Sequence, residues 1–144
     1  MARNTVQQDI IYNTVINMDT HPSPDDVYEE VHKSYPTIGR ATVYRVLNKL
    51  AESGRIIKVN IPDSADRFDF RKDRHLHMHC TSCNGVFDID IRGADKILSE
   101  LDDMISKGGS NADSFRINNL NISFEGICPE CQKKEENNER FKGN

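Results

Sequence analysis

The sequence predicts an α/β (α+β) fold in two parts: an N-terminal winged helix-turn-helix and a small C-terminal α/β domain closed by a four-cysteine zinc site. Three observations carry that expectation. Helical periodicity runs through three segments before residue 55, then gives way to two short β-like runs. Strand alternation resumes at HLHMH, residues 75–79. Two Cys-x-x-Cys pairs, Cys80/Cys83 and Cys128/Cys131, bracket the second half. A chain of 144 residues has room for one ordinary domain or two small ones. The expected boundaries are 1–73 for the first domain, 74–134 for the second, and 135–144 for a disordered polar tail.

In chain order, residues 4–18 place Val6, Ile10, Ile11, Val15 and Met18 at helical spacing. In HPSPDDVYEEV, Ser23 reads as an N-cap, Pro24 as the first helical residue and Asp26 as the partner in a Ser-x-x-Asp capping box. Val27, Tyr28, Val31 and Tyr35 continue the apolar face to the break at Pro36. The third helix, in TIGRATVYRVLNKLAESG, carries a buried stripe of Val43, Val46, Leu47 and Leu50, and Gly54 supplies its stop. RIIKVN and DRFDFR, joined by the turn-rich IPDSA, read as a hairpin. Three helices followed by a hairpin, with the short SYPTIG turn between the second and third, is the order of a winged helix-turn-helix.

In the second half HLHMH and VFDIDI make a hairpin around CTSCNG, with Phe87, Ile89 and Ile91 directed to the core. ADKILSELDDMISKGG is a helix with Ala94, Ile97, Leu98, Leu101, Met104 and Ile105 on one side. Leu120, Ile122 and Phe124 alternate in a last strand before CPEC.

No apolar run is long enough for a transmembrane helix, and no membrane partner is expected. MARNTVQQD has no apolar signal region, and the expected location is cytoplasmic. There, paired cysteines hold metal more often than they form disulfides. Residues 1–72 carry ten basic and ten acidic side chains; from Asp73 onward there are nine and thirteen, which accounts for the net charge of −4. Within 37–60, Arg40, Arg45, Lys49, Arg55 and Lys58 oppose Glu52 alone. Opposite the apolar stripe, the third helix carries Thr42, Arg45, Asn48 and Glu52, with Arg40, Tyr44 and Lys49 on its flanks. Arginine and asparagine can pair with base edges, and tyrosine can pack on a thymine methyl. An ordinary solvated face would look the same on periodicity alone. The winged-helix context turns the reading toward double-stranded DNA.

The four cysteines fall into two pairs with 44 residues between them. Each pair brings two thiolates to one ion, and two pairs complete a tetrahedral shell with no open position, which makes the site structural and zinc its metal. The rivals are a thiol redox pair or two disulfides, and a redox motif has no need of a duplicate. The histidines form a separate group. Period two puts His75, His77 and His79 on one strand face, and Asp88 and Asp90 on one side of the facing strand. Imidazole with carboxylate suits Fe2+, Mn2+ or Zn2+, and a donor set without sulfur favours reversible binding. The plain alternative is a polar strand that keeps its His and Asp for solubility.

TVYRVLNKLAESGRI, HLHMHCTSC and CPEC together resemble the ferric uptake regulator (Fur) family of metal-dependent repressors, over residues 3–134 and most closely its peroxide-sensing branch. The resemblance implies a homodimer with a winged-helix domain, an α/β dimerisation domain, and one structural zinc per subunit on Cys80, Cys83, Cys128 and Cys131. It implies one regulatory Fe2+ or Mn2+ per subunit on His21 of the HP motif, Asp69 of RFDF, His75, His77 and Asp88. His21 and His75 would be the oxidation-sensitive ligands, and the partner an A/T-rich inverted-repeat operator. Three departures stand out: His79 has no role in that five-ligand pattern, the leading helix of many members is missing or truncated, and no histidine follows His79.

The function expected is therefore a peroxide-sensing, metal-dependent transcriptional repressor and not an enzyme. The alternative on the same scaffold is an iron- or other divalent-metal-responsive uptake regulator without peroxide sensing. A non-haem iron enzyme using His75, His77 and Asp88 lacks a second acid–base cluster in the sequence. A zinc adaptor with idle histidines leaves the basic helix unexplained. His79, Asp90 and His32 are left without a role.

Overall fold

The computed structural model describes residues 2–71, 73–108, 111–116 and 122–142, and the side chains of all of these except 2, 3, 112, 141 and 142. The chain folds as two compact units, Met1–Asp73 and Arg74–Asn144.

The first unit opens with α1 (Ala2–Ile16), α2 (Pro24–Ser34) and α3 (Arg40–Glu52). Helix α2 starts where its sequence requires. Ser23 Oγ accepts from the Asp26 backbone N–H at 3.2 Å, and the Ser23 N–H donates to Asp26 Oδ2 at 2.8 Å. Pro24 fills the position whose N–H has no helical partner anyway. Helix α3 ends on Gly54, whose φ of 72° belongs to the left-handed region. The Gly54 and Arg55 N–H groups then close on the Ala51 and Leu50 carbonyls at 3.0 and 2.9 Å, the paired bonds of a Schellman stop. Ile11, Val15, Val27, Val31, Val43, Val46, Leu47 and Leu50 interlock as one core, with Ile38, Ile56 and Phe68 sealing its ends. Strands β1 (Ile57–Val59) and β2 (Arg67–Asp69) pair antiparallel, with Ile57 opposite Asp69 and Val59 opposite Arg67. This is the winged-helix order.

In the second unit a three-stranded sheet has the order β4-β3-β5, built from β3 (Leu76–Cys80), β4 (Val86–Ile89) and β5 (Ser123–Gly126). Strand β4 runs antiparallel to β3, with His77 opposite Asp88. Strand β5 runs parallel to β3, with His79 beside Glu125, and helix α4 (Ala94–Lys107) lies in the connection. Helix α5 (Pro129–Lys142) follows the last strand. No helix among the described residues is long and apolar enough to cross a membrane.

Three expectations need correction or restriction. Residues 135–142 are helical, as the continuation of α5, where composition pointed to a disordered tail. The reason is nucleation: the Gln132 N–H bonds the Cys128 carbonyl at 3.0 Å and the Gln132 side chain bonds the Ile127 carbonyl at 2.7 Å. Once the first turn is fixed, a run rich in Lys, Glu, Gln and Arg propagates cheaply. Phe87 and Ile91 do not enter the core of the single chain; they are 40% and 44% exposed. On α4 only Leu98 is buried, while Ile97 and Met104 stand out at 61% and 67%. The spacing of these side chains is as expected, but no described element of this chain covers them. Of the last strand's apolar residues, Leu120 lies outside the described residues.

Leu47 is fully buried among all three helices. Leu47→Ala should destabilise the first unit by about 2–5 kcal/mol, read as a lower denaturant midpoint for its transition. A loss below about 1 kcal/mol would mean the three helices do not pack on that residue.

Candidate metal centres and nucleic-acid face

Cys80 closes β3, Cys83 lies in the turn beyond it, and Cys128 and Cys131 flank the start of α5. Each offers a sulfur, and all four lie within 4.8 Å of one another. All four are free thiols, and Cys83 and Cys128 sulfurs are 3.9 Å apart. A tetrahedral ion with bonds of ~2.3 Å sets its ligands ~3.8 Å apart, so the shell fits zinc and not a disulfide. Backbone hydrogen bonds shape the turn: Cys80 N–H to the Gly85 carbonyl at 2.9 Å, and Asn84 N–H to the Cys80 carbonyl at 2.8 Å. Gly85 leaves room there for its neighbours: a methyl group on it would lie 2.9 Å from the tip of the Phe87 ring and 3.3 Å from Cys83 Sγ, so the ring would have to shift.

Cys80 and Cys131 do not ionise alike. Backbone N–H groups, first of Cys128 and then of Cys83, pull Cys80 down to about 6; the Cys128 N–H lies 3.3 Å from its sulfur. A hydrogen bond with Ser82 also draws Cys131 down. Hydrogen bonding with Cys128, burial, and the Cys83 and Cys80 sulfurs outweigh it and push Cys131 up to about 11. The Cys80 thiolate forms readily and Cys131 resists, as expected where sulfurs crowd. A divalent ion supplies the missing charge and releases the remaining protons.

The nitrogen and oxygen donors sit in each unit as follows. In the first, the Phe68 N–H donates to the Pro22 carbonyl at 2.9 Å, which lays the segment before the capping box along β2. His21 Nε2 is thereby placed 3.5 Å from Asp69 Oδ2, and that carboxylate is buried. Asp69 Oδ1 also accepts the Arg71 N–H at 2.8 Å. In the second unit the register of β3 and β4 puts His75 Nε2 3.2 Å and His77 Nε2 3.7 Å from Asp88 Oδ1. The two imidazoles meet edge to face, with centroids 4.5 Å apart. Nitrogen and oxygen ligands ~2.1 Å from one ion lie ~3.0–3.6 Å apart for bond angles between 90° and 120°. The donor pairs fall within or close to that spacing.

His79 shares the strand face of His75 and His77 but has other neighbours. Its Nε2 donates to Asn84 Oδ1 at 2.6 Å, and its Nδ1 lies 3.7 Å from Glu125 Oε1. The side chain thus ties the sulfur turn to β5. Asp90 is exposed beyond the end of β4, and His32 leans on Tyr28 with centroids 5.2 Å apart.

On α3 the buried Val43, Val46, Leu47 and Leu50 leave Arg40, Tyr44, Arg45, Asn48 and Lys49 exposed, with Thr42 half-buried. Asn48 Oδ1 accepts from Lys58 Nζ at 3.3 Å, joining the helix to β1, and Lys58 also pairs with Asp66 at 3.0 Å. Arg40 pairs with Asp25, and the Tyr44 hydroxyl donates to the same carboxylate oxygen at 3.0 Å. Asp25 and Tyr28, like Asn84 and Glu125, are invisible as site residues in the sequence. Only tertiary pairing brings position 25 to positions 40 and 44.

The model of the ferric uptake regulator family matches residues 1–119. The chain belongs to the ferric uptake regulator family. The peroxide operon regulator of Bacillus subtilis is 29% identical over 93% of this chain and 87% of its own length. The ferric uptake regulation protein of the same organism is 34% identical over 83% and 77%. Among solved structures, the Campylobacter jejuni peroxide stress regulator superposes with a TM-score of 0.70 at 28% identity, covering 90% of this chain and 92% of that one.

Fur-family proteins are metal-binding, DNA-binding repressors that act as dimers, and these relatives are regulators rather than enzymes. The family match ends at residue 119, so the second half of the sulfur shell, Cys128 and Cys131, rests on geometry rather than on that match.

The wild-type chain should hold one zinc per subunit against a weak chelator at neutral pH. It should release it as pH falls, because protons compete for the same sulfurs. Cys83→Ser should lose that zinc and the folding transition of the second unit; a variant still carrying stoichiometric zinc would remove Cys83 from the shell.

Proposed function

We propose that this chain is a cytoplasmic, homodimeric Fur-family repressor that senses peroxide and binds an A/T-rich inverted-repeat operator when its regulatory metal is present. The observation that carries the reading is the donor set. Three imidazoles and two carboxylates, those of His21, Asp69, His75, His77 and Asp88, contain no sulfur and are distinct from the four cysteines. In this reading zinc on the cysteines is permanent, and Fe2+ or Mn2+ on the other five is exchangeable. His21 and Asp69 belong to the winged-helix unit, whereas His75, His77 and Asp88 belong to the second unit. One ion held by both groups couples the units and shifts the population toward the arrangement of recognition helices that an operator accepts.

Bound Fe2+ would supply the activation of the peroxide O–O bond; the chain's part is to hold the His21 and His75 imidazoles beside it as the groups that are oxidised and give up the two electrons. In net terms, imidazole and H2O2 give an oxo-imidazole and water. The altered ring is a poorer ligand, so metal and DNA are released. Phe87, Ile91, Ile97, Met104 and Phe124 are exposed apolar side chains of the second unit that a second copy of the chain could cover. Arg40, Thr42, Tyr44, Arg45, Asn48 and Lys49 form the surface assigned to DNA.

A second reading has one observation in its favour. Identity to the Bacillus subtilis ferric uptake regulation protein, 34%, exceeds the 29% to the peroxide operon regulator, although over less of the chain. An iron- or divalent-metal-responsive regulator would use the same donors without the oxidation step.

Operator binding by the Fe2+ and Mn2+ forms, with and without H2O2, separates the two. The sensor loses DNA only in the iron form and gains one oxygen atom on a His21 or His75 peptide; equal responses from both forms favour the second reading. His77→Ala should keep zinc and the dimer yet lower Mn2+ affinity by at least ~10–100-fold. Undiminished Mn2+-dependent DNA binding by that variant would take His77 out of the ligand set.

A further inference from the structure

We infer that Asp25 is a specificity-determining positioning residue of the DNA-reading face. It holds Arg40 and Tyr44 in one arrangement and keeps the Arg40 charge from engaging phosphates. The inference rests on the DNA-binding reading of α3.

Arg40 and Tyr44 stand four residues apart, on the N-terminal half of α3, and so share one helix face. In helix-turn-helix proteins that end of the recognition helix reaches the base edges. Asp25 lies in the first turn of α2, and its Oδ1 takes both the Arg40 guanidinium, through Nη1, and the Tyr44 hydroxyl at 3.0 Å. The other side of Arg40 is supported by the Tyr28 ring, whose centroid lies 4.4 Å from the guanidinium carbon. Arg40 is thus fixed from two directions at once.

Stability is a poor explanation for this arrangement. The Arg40 and Asp25 side chains are 53% and 56% exposed, and exposed pairs contribute little to folding. Raw affinity is a worse one, since a carboxylate on this face repels phosphate. What the arrangement does supply is discrimination. A neutralised arginine attracts random-sequence DNA less, because phosphate attraction scales with the number of free cationic contacts. A pre-oriented guanidinium and phenol lose less freedom when they meet a matching base edge. Both effects widen the gap between operator and other DNA, which is what specificity means energetically.

The test uses the full-length, Mn2+-loaded dimer. A duplex selected by the wild-type protein from a random library serves as operator, and a mixed random-sequence duplex of equal length serves as the comparison. Affinities are measured by fluorescence anisotropy across a KCl series. Asp25→Asn should bind random DNA more tightly, with a salt slope steeper by up to ~0.9 per subunit. Its ratio of operator to random affinity should fall on the order of tenfold. Asp25→Glu, which keeps the charge, should retain the wild-type slope and recover much of the ratio. Should Asp25→Asn not fold, Tyr44→Phe removes only the hydroxyl donor and should lower the ratio at unchanged slope. An unaltered ratio and slope in a folded Asp25→Asn, or parallel loss on both duplexes together with a lower Tm, overturns the inference. If the wild-type protein selects no duplex at all, the DNA-binding reading fails, and this inference with it.

Discussion

Strand β3 has two faces and two neighbours, and the alternation of its side chains divides the chemistry of the second unit. Cys80 and Met78 point into the sulfur cluster, where Met78 and Ile127 pack against Cys80, Cys128 and Cys131. His75, His77 and His79 alternate with them and meet the carboxylates of β4 and β5. A one-residue slip in register would exchange the faces and send sulfur to the carboxylates and imidazole to the cysteines. The bonds that forbid the slip surround the sulfur turn: Cys80 N–H to Gly85, Thr81 N–H to Gly126, and Cys128 N–H to the Cys80 sulfur. The strand that carries His75 and His77 is therefore held in register from its sulfur end.

The two units balance their energetics differently. The first has a continuous apolar core drawn from three helices and the hairpin, with no cysteine in it. Among the described residues the second buries few large apolar side chains: Leu76, Val86 and Leu98, with three of the four cysteines. Units of this size seldom stabilise themselves by apolar burial alone. A structural zinc in small domains contributes about 10–16 kcal/mol, more than those few side chains can supply. Ile97 and Met104 of α4 are exposed as well, as are Phe87 and Ile91. No described element of the chain covers these side chains, and a dimer of the family's kind would.

The first unit is readable because each signal in it is local. Ser23, Pro24 and Asp26 announce a helix start through chemistry confined to four residues, and Gly54 announces a stop through its backbone alone. The cysteine pairs are readable for the same reason, as are the period-two histidines. What escapes the sequence depends on the surroundings of a pattern. Phe87 and Ile91 alternate correctly, but alternation says which side a residue faces and not whether anything lies there. Residues 135–142 look disordered by composition, yet the turn at Cys128–Cys131 nucleates their helix. The pairing of Asp25 with Arg40 and Tyr44 spans α2 and α3, and no sequence period connects those positions.

A sensor that reads peroxide by oxidising its own ligand must survive the loss of that ligand. In the proposed assignment the risk falls on His21 and His75, and backbone hydrogen bonds hold the segments that carry them. The segment of His21 is held by backbone, through the Phe68 N–H on the Pro22 carbonyl, and by the Ser23–Asp26 capping box. His75 precedes β3, whose register is set by ladder bonds and by the sulfur turn rather than by its ring. In that assignment oxidation of either ring removes a metal ligand, while the backbone bonds of its segment and the sulfur turn remain. Had the sulfurs been the peroxide-reactive ligands, oxidation would have taken the folding energy of the second unit with it. Separating the donors by chemistry, nitrogen and oxygen for the signal and sulfur for the fold, lets the signal be consumed without unfolding the protein.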